Sequence, residues 1–124
     1  MKTIVFKTSL VVMMAALLTV CGCGKSADTT KPIPEVKAEA EKMDATQLRS
    51  MAMTYKEAIA AKAEEIKAEG LKLKDIPIAE IMGDKAKELN AKIDELKKTT
   101  DALTERFQIY LDELKKKNGD LSGL

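Results

Sequence analysis

Two cysteines, Cys21 and Cys23, stand one glycine apart and are the only thiols in this chain of 124 residues. Two thiolates could take a soft metal ion, but a tetrahedral site needs four ligands. No histidine and no third cysteine exist to complete the set. For the same reason, neither thiol finds a disulfide partner elsewhere in the chain. Other chemistry is thin. The commonest general base is missing along with histidine. Ser26, Ser50 and Ser122, the serines beyond the N-terminal segment, have no imidazole to activate them. Acidic neighbours such as Glu64–Glu65 and Asp94–Glu95 lie inside Lys/Glu patterns, and adjacent helix residues do not face each other. They read as solvated faces. The expectation is a protein that is not an enzyme, with no catalytic, cofactor-binding or metal-binding residue.

The cysteines follow Lys2, Lys7 and the apolar run "LVVMMAALLTV" at 10–20. That run falls short of the roughly 20 residues a membrane-spanning helix needs. It matches the short apolar core of a secretory signal peptide ahead of small residues at a cleavage point. "VCGC", residues 20–23, resembles the lipobox of bacterial lipoprotein precursors: an aliphatic residue, two intervening positions of which the second is small, then cysteine. With Cys23 as acceptor, Val20 takes the aliphatic place and Gly22 the small one. With Cys21 as acceptor, branched Val20 would occupy the small place, so Cys23 fits better and Cys21 stays as the alternative. The resemblance covers the first fifth of the chain and implies a signal peptide at 1–22. It also implies lipid on the Cys23 sulfur, often with an acyl chain such as palmitate on the new amino group. A protein so anchored sits in the bacterial cell envelope. Gly24 stands where an Asp would signal inner-membrane retention, which favours the outer membrane, facing the periplasm.

The rest of the chain must hold the body that this anchor would carry. "GKSADTTKPIP", 24–34, has turn residues, two prolines and no apolar periodicity, and reads with Cys23 as a flexible linker. From residue 35 onward Ala, Glu, Lys and Leu dominate, the composition of long helices. A first segment near 35–43 leads to "MDATQL", where Asp44 and Gln47 have the spacing of a capping box. This marks either a new helix or a kink in a longer one. Leu48, Ala52, Tyr55, Ile59, Ala63, Ile66 and Leu73 then recur at nearly helical spacing. Gly70, with Leu71 set to touch Ile66, reads as the C-terminal stop of a helix over 45–69. The link 70–83 contains Pro77, a candidate start for a short helix at 77–82. The last helix, 84–118, starts with Asp84 as its cap or continues unbroken from Pro77.

That last helix has the cleanest periodicity. Met82, Ala86, Leu89, Ile93, Leu96, Thr100, Leu103, Phe107, Tyr110 and Leu114 alternate in steps of four and three, the heptad of a coiled-coil-like seam. Glu88–Lys92, Asp94–Lys98 and Asp112–Lys116 are spaced for i,i+4 ion pairs. Gly119 reads as the helix stop and 119–124 as a tail. The fold class expected is all-α: two antiparallel rods of equal length forming a helical hairpin.

Two helices bury little core, and chains this small need disulfides, metal or association. A homo-oligomer or a protein partner is therefore expected. Loss of Lys2 and Lys7 with the leader leaves 19 basic against 20 acidic residues, which gives no electrostatic drive toward nucleic acid. No small-molecule substrate is expected either. The function this supports is a membrane-anchored, non-enzymatic interaction or structural module. The alternative is a periplasmic chaperone-like protein holding apolar ligands between its helices.

Overall fold

A computed structural model describes residues 26–124, and every regular element among them is helical. Helix α1 spans Ile33–Lys42, α2 Ala45–Lys74 and α3 Asp84–Lys116, with one 3-10 turn at Ile78–Glu80 between the last two. The long helices lie side by side and antiparallel. Arg49 reaches the backbone of Ser122, Tyr55 meets Tyr110, and Lys92 reaches Glu69. Helix α1 packs on α3 and runs parallel to its C-terminal part: Arg106 binds Lys31 and Lys117 binds Glu41. One half of the rod is thus a three-helix bundle and the other a bare pair.

The joint between α1 and α2 is a true break. Pro32 and Pro34 bracket Ile33 at the start of α1, where their missing N–H groups would lack helical partners anyway. Met43 and Asp44 are extended, and Asp44 then starts α2 with both bonds of the capping box. The body therefore has two unequal antiparallel helices and a third short one, rather than two equal rods.

Gly70 does not stop α2, which continues to Lys74. Nothing lies near the place a Cβ would occupy at Gly70, and its φ is negative, so it serves as an ordinary interior helix residue. Leu71 is consequently exposed and makes no terminal clasp. The helix ends where Pro77 disfavours helical geometry at Ile76, which is buried. After the 3-10 turn, Gly83 takes the cap position of α3 and Asp84 becomes its first residue. A carboxylate there meets the positive end of the helix dipole.

At the far end, Asn118 adopts the left-handed conformation, φ +52°, that the sequence assigns to Gly119. Asn118 N–H donates to Lys115 O at 3.0 Å and Gly119 N–H to Leu114 O at 2.9 Å, the Schellman pattern one residue earlier than expected. Gly119 is needed for space instead: a Cβ would fall 2.0 Å from Leu114 Cδ1.

The apolar stripe of α3 faces inward from Ala86 to Leu114, with Leu89, Thr100 and Phe107 half-buried. Met82 precedes the helix and is exposed. The main core gathers Val36, Ala40, Leu48, Met51, Ala52, Tyr55, Leu103, Tyr110 and Leu114 in the three-helix half. The three expected i,i+4 ion pairs do not form. Lys92 reaches across to buried Glu69, and the aspartates pair at i,i+3 as Asp94–Lys97 and Asp112–Lys115. No helix among the described residues is long and apolar enough to cross a membrane.

Candidate functional site

Cys23 and its alternative Cys21 lie outside the described residues, which begin three positions after Cys23. What the structure does show is how the chain just beyond them meets the body. The linker expected to run free as far as Pro34 is held against the helices from Ala27 to Lys31. Tyr55 Oη donates to the carbonyl of Asp28 at 2.8 Å and accepts from the Asp28 N–H at 3.1 Å. One phenol thereby satisfies both backbone groups of one residue. Its ring packs on Tyr110, centroids 5.4 Å apart with planes inclined by 30°.

Arg106 completes the clamp. Its Nη2 donates to the carbonyls of Thr29 and Lys31, both at 2.7 Å, and its Nη1 to Ala102 O at 2.8 Å. The residue is only 6% exposed and no carboxylate pairs with it among the described residues. Its Nε lacks a partner. The planar, five-donor guanidinium bridges two carbonyls of the crossing strand with one nitrogen while the other bonds Ala102 O of α3. The strand needs this help because its carbonyls belong to no helix or sheet.

The clamped strand also closes on itself. Asp28 Oδ1 accepts from the Thr30 N–H at 2.7 Å and the Thr30 hydroxyl at 2.6 Å, a local Asx turn. Those bonds hold the Asp28 carboxyl below its ordinary range, and the charges of Lys31 and Arg106 add to them. Lys31 in turn pairs with Glu39 of α1 at 2.6 Å. Burial raises the Tyr55 hydroxyl above its usual value and lifts that of Tyr110 to about 12.

Tyr55 and Tyr110 are visible in the sequence as members of apolar stripes, and both are core residues. Arg106 has no such signal. It sits one step off the heptad stripe, at a position that reads as solvent-facing. Only the strand laid over α3 makes it internal.

A second polar centre lies in the two-helix half. Glu69 is buried, and its Oε1 accepts from Lys92 at 2.6 Å and Lys72 at 3.0 Å. Those bonds hold its carboxyl below the ordinary glutamate range. Oε2 has no partner. The surrounding open cleft is lined by Asp75, Lys85, Glu88 and Leu89 as well, charges of both signs around one leucine. No group of three or more metal-ligating side chains occurs among the described residues.

No family model, curated protein or solved structure matches this chain.

Proposed function

We propose that this chain is a lipoprotein of the bacterial envelope, made as a precursor with a signal peptide and anchored through lipid on Cys23. Its helical body acts as a non-enzymatic interaction or structural module. The α2–α3 pair packs as a coiled-coil-like seam, and the module works through self-association or a protein partner. The observation that carries the reading is the clamp of Tyr55 and Arg106 on residues 28–31, placed directly after the lipobox-like "VCGC". A free linker as far as Pro34 would let the body drift up to about 40 Å from its anchor. With the strand pinned at Asp28, only four residues separate Cys23 from the clamp, and the five chain steps between them reach at most about 18 Å. The body is thereby kept against the bilayer surface, as suits a module with an envelope partner.

The intact mass of the protein recovered from membranes tests the anchor. The expected species begins at Cys23 and carries added diacylglyceryl and acyl mass, and Cys23→Ser is expected to stop processing. An unmodified chain beginning at Met1 would refute it. Crosslinking of the anchored form, read by mass spectrometry, identifies whether the partner is a second copy or another protein.

A further inference from the structure

The end of the rod where α2 turns into α3 carries Leu71, Ile78, Ile81 and Met82, all exposed, with Ile78 at 89% and Met82 at 82%. The 3-10 turn at Ile78–Glu80 holds the first of these outward. From this tip we infer a second membrane contact: the apolar side chains enter the same bilayer that holds the lipid on Cys23. The inference rests on the anchor proposed above.

Two observations select lipid over other occupants. The four residues together expose less than the equivalent of three whole residues, whereas a stable protein interface takes roughly 20–30 residues a side. A bilayer has no such minimum, because a weak contact beside an existing anchor is intramolecular in effect. Second, the nearby charges cancel: Lys72, Lys74, Lys85 and Lys87 are matched by Asp75, Glu80, Asp84 and Glu88. Attraction to anionic headgroups is therefore not the drive, and the apolar side chains must be.

Chain lengths then set the posture. From Tyr55, level with the clamp, to Asp75 at the tip is twenty helical residues, about 30 Å. The five chain steps from Cys23 to Asp28 reach at most about 18 Å. Tip and anchor can meet one surface only if the rod reclines within about 40° of the membrane plane. An upright rod would lift the clamp beyond the reach of the anchor.

The test uses the mature lipidated protein in phosphatidylcholine vesicles, with an environment-sensitive fluorophore on Ile78→Cys and, separately, on Thr46→Cys at the opposite end of α2. The expected result is a blue shift and strong quenching by spin-labelled lipid at position 78, with neither at position 46. Adding Ile81→Ser and Met82→Ser is expected to abolish the quenching at 78, and replacing part of the phosphatidylcholine by phosphatidylglycerol to leave it unchanged. A label at 78 that stays wet on vesicle-bound protein overturns the tip contact and leaves the anchor standing. Shielding from aqueous iodide without quenching by lipid means a protein covers the tip, and overturns it too. Quenching that appears only with phosphatidylglycerol overturns the apolar drive. Protein that fails to float with the vesicles removes the anchor, and the tip contact with it.

Discussion

Two glycines read alike in the sequence, each as a helix stop, and the structure gives them opposite duties that one substitution can separate. At Gly70 the backbone is interior α-helix with negative φ, and nothing lies within 4 Å of an added Cβ. Gly70→Ala therefore removes the entropic penalty of glycine in a helix without adding a clash. The expected gain is about 0.5–1 kcal/mol. At Gly119 the same methyl would fall 2.0 Å from Leu114 Cδ1 and 3.3 Å from the Leu114 carbonyl oxygen. Leu114 is fully buried in the main core, so its side chain has no free direction to retreat. Overpacking of that kind costs about 1–3 kcal/mol. Urea unfolding at one protein concentration is the assay, since association would shift the midpoint by mass action. The midpoint should rise for Gly70→Ala and fall for Gly119→Ala at unchanged slope. For a domain of this size the corresponding melting shifts are about 4–8 °C per kcal/mol. Destabilisation by Gly70→Ala would refute the reasoning, because it would mean that Gly70 holds the left-handed stop expected from sequence and α2 ends there.

Tyr55→Phe strips the Asp28 N–H and C=O of their shared partner and should cost about 1 kcal/mol, with faster amide exchange at Asp28 as the local readout. Arg106→Ala orphans the carbonyls of Thr29 and Lys31 and is expected to cost more, about 2–3 kcal/mol, while Arg106→Lys should recover only part of it because an ammonium lacks the planar fork that holds these two and Ala102 O together. On the acid side, the depressed carboxyl of Glu69 contributes stability that is complete above the ordinary glutamate range and lost as pH falls through its lower folded value. Glu69→Gln should flatten that limb in pH-dependent urea melts. On the alkaline side, Tyr110 titrates near 12 when folded but near 10.0 in its ordinary state, so stability should decline between those values as the unfolded phenol ionises first. Tyr110→Phe is expected to reduce that decline, and phenolate absorbance follows it directly.

Much of the fold was legible because its signals are local. The capping box of Asp44 and Gln47 needs only a three-residue spacing, and it forms as read. The stripe from Ala86 to Leu114 needs only a helical period, and it marks the buried face of α3. Helix ends were harder. Gly70 is a poor helix former, yet the helix continues through it to Lys74 and stops just before buried Ile76, where Pro77 constrains the backbone. Local propensity at one residue, about 1 kcal/mol, yields to tertiary packing. The exchange of roles between Asn118 and Gly119 has the same origin, since the space beside Leu114 decides which of the two can bear a side chain.

By itself the sequence determined the helical class, the inward face of α3 and the capping box at Asp44. Each depends on neighbours within a few positions along the chain. The tertiary structure alone decided that α1 folds back along α3, that Arg106 is internal and that residues 28–31 are clamped rather than free. Those features join residues about 75 positions apart. No period or cap encodes such a meeting. A guanidinium one step off an apolar stripe looks solvated until a strand with unpaired carbonyls is laid across it.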